Sequence, residues 1–157
     1  MKILLIAAYF LVVAGYFLIG LLPVRAEDSL ASAGRLVIPA IGINGEVVET
    51  RVEEDEFIIP RERIAVHKMG NKTLMMAHAA TGFSTLKEIR VGDEIEYLDG
   101  NFVVVGMEYR KVEEISMREI LKSEEKEEMV LMTCAGEERE GKYTERLIVW
   151  AEKIGEK

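Results

Sequence analysis

The only cysteine, Cys134, closes the apolar run Met129-Val-Leu-Met-Thr-Cys134, and Arg146 opens the next one, Arg146-Leu-Ile-Val-Trp150. A lone thiol makes no internal disulfide, so it serves either packing or chemistry. Packing is the plain alternative, because cysteine is among the residues most often buried and inert. Here Ala135, Gly136 and the polar stretch 137–140 follow directly, which predicts a strand end beside a loop, where a side chain reaches solvent. A nucleophilic thiol needs a base beside it. The chain has two histidines. His78 ends the run Thr73-Leu-Met-Met-Ala77 much as Cys134 ends its own, so parallel neighbouring strands would bring both to one rim. His67, after Ile64-Ala-Val66, is the second candidate, but Lys68 and Asn71 beside it read as an exposed turn. The ordinary alternative for either histidine is a surface or capping residue. Arg146 carries a permanent charge on a rigid fork of donors. If the two runs pair as a hairpin, it lies near the thiol and can hold a carbonyl oxygen that becomes an oxyanion. Its plain alternative is a surface arginine paired with Glu145. The chemistry these types support is nucleophilic attack on a carbonyl. No Asp or Asn is placed to orient the histidine, so a papain-like triad is not expected.

Many short strands must position these groups. Arg35-Leu-Val-Ile38 is stopped by Pro39, the stretch 46–52 alternates around its valines, and Phe57-Ile-Ile59 is ended by Pro60. Glu94-Ile-Glu-Tyr-Leu98 alternates cleanly, and Asp99-Gly100 predicts a hairpin turn into the run 102–109. Residues 129–133 and 146–152 complete the set. Two helical patches interrupt them: 83–89, with Phe83, Leu86 and Ile89 on one side, and 116–122, where Ser116 and Glu119 have capping-box spacing. Short strands separated by turns predict a closed or nearly closed barrel. The acidic stretch from Glu49 to Glu56 has ligands that suit calcium, but lacks glycine-punctuated spacing, and a solvated turn is the better reading.

The first residues differ in kind. From Ile3 to Val24 no side chain is charged, and a helix of that length spans ~33 Å, about one bilayer core. A cleaved leader is the competing reading, since Val24-Arg25-Ala26 has small residues near the right places. The stretch is nevertheless longer than the ~7–15 residues of a leader core. Residues 1–25 are therefore expected to be a transmembrane anchor or signal-anchor, 26–34 a small polar linker, and 35–157 the catalytic domain, outside the membrane. Lys2 before the apolar stretch and Glu27 and Asp28 after it favour that orientation. Without Lys2 and Arg25, 18 basic residues face 28 acidic ones, a net charge of −10. That balance excludes a nucleic-acid partner, which requires a basic face, and broad adhesion to anionic lipid. An unpaired thiol outside the cell is an oxidation liability, which argues that it is kept for a reason.

These residues carry a family resemblance. Leu74-Met-Met-Ala-His78, with Phe83, Leu86, Ile89 and Val91-Gly-Asp-Glu-Ile95, resembles the stretch around the catalytic histidine of sortases, membrane-anchored cysteine transpeptidases. Val130-Leu-Met-Thr-Cys134 resembles their Thr-Cys nucleophile motif, Arg146-Leu-Ile-Val149 their arginine strand, and Leu36-Val-Ile-Pro-Ala-Ile-Gly42 their opening strand. The similarity runs from about Arg35 to Glu152 and includes the anchor. Ala77 stands where the family commonly has glycine, and the connections 67–78 and 134–146 are short. The resemblance implies an eight-stranded, mainly β sortase barrel with short helices. It implies Cys134 as nucleophile, His78 as general acid and base, and Arg146 as oxyanion holder. The implied substrate is a secreted protein with a C-terminal sorting motif of the Leu-Pro-x-Thr-Gly kind. The implied acceptor is an amine in the cell envelope or on another protein. It implies no metal or organic cofactor.

Residues two apart on a strand share a face. Met76 therefore accompanies His78, and Met132 accompanies Cys134. Both are expected to line an apolar substrate groove, with core filling as the alternative. Thr133 matches the family threonine beside the nucleophile and joins the expected substrate-binding set. The segment 112–128 is expected to wall the groove. A cysteine hydrolase on the same scaffold and a catalytically inactive anchored binding module are the rival readings.

Overall fold

The computed structural model of the chain describes residues 30–53, 56–122 and 125–155. The expected anchor, residues 1–25, lies outside them, as do residues 26–29 of the expected linker, whose residues 32–34 already form strand. Among the described residues no helix is long and apolar enough to cross a membrane.

Strand β1 (Ser32–Ile38) meets Pro39, which has no backbone N–H to continue the ladder. A single 3-10 turn, Pro39–Ile41, follows and ends at Gly42 with φ 68°, a left-handed conformation that glycine adopts without penalty. The chain then returns antiparallel as β2 (Ile43–Glu49). A small ribbon of β3 (Val52–Glu53) and β4 (Glu56–Phe57) stands outside the main sheet. The acidic stretch 49–56 thus spans the end of β2 and this ribbon. Strands β5 (Ile64–Met69) and β6 (Lys72–Met76) form the next hairpin, and β5 runs parallel to β2. Strand β7 (Glu94–Tyr97) turns through Leu98 and Asp99 into β8 (Gly100–Lys111). The turn centre is one residue earlier than the sequence suggested, with Leu98 at φ 52°. Strands β9 (Glu128–Arg139) and β10 (Lys142–Lys153) make the longest hairpin. The eight main strands close a barrel in the order β1-β2-β5-β6-β9-β10-β8-β7. A closed barrel leaves no unpaired edge.

The expected helix at 83–89 is a series of turns with one 3-10 turn, Leu86–Glu88. Phe83, Leu86 and Ile89 are buried as their spacing predicted, plugging the interior. The second helical patch is a short helix, α1 (Met117–Ile120), and the Ser116 hydroxyl accepts the Glu119 backbone N–H at 3.4 Å.

Alternation divides the long strands between two apolar clusters. Met75, Leu131 and Val149 point into the barrel. Leu74 and Met76, Val130, and Ile148 point outward and are buried under Ile120 of α1. Phe57, Ile59, Met132 and Trp150 pack around them, so ribbon and helix together cover one outer wall of the barrel. That covered wall leads to the candidate site.

Candidate active site

Cys134 and Arg146 are direct partners in the β9–β10 ladder. Directly opposed residues of an antiparallel pair place their Cβ atoms about 4.5–5.5 Å apart on one face. The face is the outer one, since Cys134 alternates with Val130 and Met132, and Arg146 with Ile148 and Trp150. Strand β6 runs parallel to β9 with Met76 opposite Met132. Continuing that register sets Ala77 beside Thr133 and His78 beside Cys134. Two hydrogen bonds carry it past the end of β6: the Ala77 N–H donates to the Met132 carbonyl at 3.4 Å, and the Thr133 hydroxyl donates to the Ala77 carbonyl at 2.7 Å. His78, Cys134 and Arg146 line one cleft of about 1090 Å³. Lys111, Val112 and Glu113 form one side of it, and the outer half of the β9–β10 hairpin forms another.

His78 is exposed at the start of the loop after β6. Its carbonyl accepts the N–H groups of Thr81 and Phe83, each at 3.2 Å, and Phe83 is buried, so the turn is anchored in the core. The Nε2 atom lies 3.3 Å from the Ile59 carbonyl. With its proton on Nε2, the ring donates to that carbonyl and keeps Nδ1 as an acceptor. A backbone carbonyl thus takes the orienting place for which no Asp or Asn offered itself in the sequence. Pro60 was the one signal for it, because a residue before proline is held extended. His67 lies elsewhere, on β5 opposite Leu74, with its ring 5.2 Å from that of Phe57.

The guanidinium of Arg146 is held by its own strand. Nη1 donates to the Glu145 carbonyl at 2.9 Å and to the Tyr143 carbonyl at 3.4 Å. Among the described residues, none of the ion pairs engages Arg146. Its side chain lines the cleft. The cleft's other charges are mixed, and its nearest ion pair, between Arg139 and Glu137 at 2.7 Å, is internal to the hairpin.

Neither Cys134 nor Arg146 stands at a strand end, as the sequence had suggested. Strand β9 continues to Arg139 and β10 begins at Lys142. The ladder passes through an irregularity at Gly136, φ 77°, where Gly136 and Glu137 together oppose Thr144. This is a bulge whose first residue is a left-handed glycine.

The three expected substrate-binding residues are placed differently from His78, Cys134 and Arg146. Met76 is 2% exposed, covered by α1 and the ribbon, and Met132 packs at the margin of the same cluster. Met132 shares a face of β9 with Cys134, yet neither methionine lines the cleft. Thr133 is 5% exposed, and its hydroxyl is engaged inside the wall by Ala77. It ties the two strands together and presents nothing to the cleft.

A sequence profile described as the sortase domain matches residues 36–154. The chain belongs to the sortase family. Sortases are cysteine transpeptidases, and this chain is a sortase-type cysteine transpeptidase. No curated protein matches it by sequence. Among solved structures, it resembles sortase A from Listeria monocytogenes, with 15% identity, 80% of this chain and 88% of that one covered, and a TM-score of 0.62. Sortase C1 from Streptococcus agalactiae gives 19% identity, coverage of 81% and 69%, and a TM-score of 0.62. Sortase C from Clostridium perfringens, solved with the C-terminal cell wall sorting motif, gives 18% identity, coverage of 79% and 71%, and a TM-score of 0.61. At these identities the likeness is one of fold. Sortases of the A and C classes match equally well, so it does not assign the chain to either.

Proposed function

We propose that this sortase acts outside the cell, held to the membrane by residues 1–25, and joins proteins bearing a Leu-Pro-x-Thr-Gly-like sorting motif to an amine. The observation that carries the reading is the convergence of His78, Cys134 and Arg146 on one cleft. The strand register agrees with it, because Cys134 and Arg146 oppose each other in the ladder.

In this reading the Cys134 thiol passes its proton to His78, and Sγ attacks the carbonyl carbon of the scissile bond. The oxyanion that forms lies against the guanidinium of Arg146, which is aimed before substrate arrives and so costs no reorganisation. The tetrahedral intermediate collapses as the C–N bond breaks, and His78 returns the proton to the departing amine. The product is a thioester on Cys134. An acceptor amine attacks that thioester, His78 takes its proton, and the thiolate leaves as a new amide forms. The covered outer wall at Met132 and Ile59 continues from the cleft. Displacement of the segment 112–122 would open that wall to the apolar leucine and proline of a sorting motif. This keeps Met132 and Met76 in the reading as floor residues, reached only in that open state.

The acceptor separates transfer from hydrolysis. The full chain in vesicles is incubated with a sorting-motif peptide, with and without a primary amine. Amide product that grows with amine concentration supports transpeptidation. Free acid alone, at every amine concentration, would establish a hydrolase instead. No turnover of any peptide from a sorting-motif library would favour the inactive binding module.

A further inference from the structure

The Gly136–Thr144 bulge lines the cleft, two residues beyond Cys134 and two before Arg146, and no step of the proposed reaction uses it. Its construction is specific. Gly136 has φ +77°, a conformation that L side chains rarely adopt. A Cβ there would stand 2.7 Å from the Thr144 hydroxyl and 3.0 Å from the Glu145 Cβ. Only a residue without a side chain admits Thr144 this closely. On the other side of the bulge, the Glu137 N–H donates to the Thr144 hydroxyl at 3.1 Å. Bulges leave backbone groups out of the ladder, and here the Thr144 side chain accepts from one of them.

Thr144 is also the residue between Tyr143 and Glu145. Those two supply the carbonyls that hold the Arg146 guanidinium, at 3.4 and 2.9 Å. The path of β10 at Thr144 therefore sets where the Tyr143 carbonyl meets Arg146. The extra residue of the bulge is on β9, and a bulge bends the strand that carries it and increases the local twist. The bond from the Glu137 N–H to the Thr144 hydroxyl ties β10 to that bend.

We infer that Thr144 and Gly136 are positioning residues for the transfer reaction: their bulge aims the Arg146 guanidinium across the cleft at the carbonyl oxygen attacked by Cys134. The inference rests on the proposed role of Arg146 as oxyanion holder. An oxyanion holder acts mainly as charge develops, so a misaimed guanidinium slows turnover more than it weakens substrate binding. Displacement of such a donor by a fraction of an ångström is worth about tenfold in rate.

The test compares Thr144→Val, Thr144→Ser, Arg146→Lys and Arg146→Ala in the full chain, singly and as the Thr144→Val/Arg146→Lys pair, by kcat and KM for peptide transfer. Thr144→Val keeps the shape and removes the acceptor, whereas Gly136→Ala risks the hairpin itself. Thr144→Val is expected to lower kcat about tenfold with KM changed less than about twofold, and Thr144→Ser to retain kcat. In the Arg146→Lys background, Thr144→Val is expected to add little, because the two act through one group. Unchanged kcat in Thr144→Val, or the same tenfold loss with and without Arg146, would overturn the inference. Full turnover in Arg146→Ala would remove the Arg146 reading itself, so the two failures are seen in different variants.

Discussion

The Thr133 hydroxyl donates to the Ala77 carbonyl at 2.7 Å, joining the residues that immediately precede Cys134 and His78. Strands β6 and β9 are parallel neighbours, but β6 ends at Met76, short of the histidine. The bond extends the pairing by one residue and so holds His78 beside Cys134. It is buried, and a buried hydroxyl–carbonyl bond is costly to break from one side only.

Thr133→Val should therefore leave the Ala77 carbonyl unpaired and cost about 1–3 kcal/mol in stability. Turnover should fall further than stability alone accounts for, because His78 loses its register with Cys134. Thr133→Ser should retain both. Urea denaturation midpoints and transfer rates on the same samples check this, and a Thr133→Val variant with full stability and rate would refute the tie.

His78→Ala should reduce transfer about 10²–10⁴-fold, and Arg146→Ala about 10²–10³-fold. Both should leave the circular dichroism spectrum and unfolding midpoint close to the parent, since His78 is exposed and Arg146 only half-buried. His67→Ala should keep most of the activity, because His67 packs on Phe57 away from the cleft. Loss of transfer in His67→Ala with retention in His78→Ala would reverse the assignment of the base.

Ile120 is fully buried over Leu74, Met76 and Ile148 and is the main attachment of α1 to the barrel. Ile120→Ala should cost about 2–5 kcal/mol if the cluster does not collapse around the gap. It should also loosen the 112–122 segment, seen as faster amide exchange there than in β9. Equal protection of the segment in the parent and in Ile120→Ala would show that it is held by something other than this contact.

Tyr97 supplies a pH dependence. Its phenol donates to the Ala33 carbonyl at 2.9 Å. Burial first, and the charge of Glu49 second, raise its pKa above the ordinary 10.0. The folded state thus favours the neutral phenol. The resulting stabilisation is complete below the unfolded-state value and is lost as pH rises through it towards the folded value. Stability of the parent should accordingly fall more steeply above about pH 10 than that of Tyr97→Phe. Urea midpoints across the alkaline range check the slope, and identical slopes would assign the alkaline loss to other groups.

The barrel was legible in the sequence from its many short apolar runs, and the meeting of His78, Cys134 and Arg146 from their places beside three of those runs. His78 follows one run, Cys134 closes another and Arg146 opens a third, and parallel and hairpin pairing then bring them together. The reach of β9 and β10 was not legible. Beyond Cys134 the hairpin leaves the barrel and is mostly solvated, so residues such as Glu137 and Arg139 look like loop, and Gly136 looks like its beginning. The shared face of Met76 and His78 was readable from alternation. The burial of Met76 was not, since its cover comes from Ile120, far along the chain. Thr133 was assigned to substrate because it adjoins Cys134, yet neighbours in a strand face opposite ways. For the Ile59 carbonyl, Pro60 was the single signal, and it fixes only the extended backbone of Ile59.

The most direct test of Cys134 as the acyl carrier is intact and peptide-mapped mass spectrometry of the chain during turnover of a sorting-motif peptide. The account predicts a single adduct on Cys134, with the mass of the acyl fragment, that hydroxylamine removes and an acceptor amine converts to amide product. It predicts no adduct and no transfer in Cys134→Ala. Sustained transfer by Cys134→Ala, or amide formation through an adduct on another residue, would contradict it.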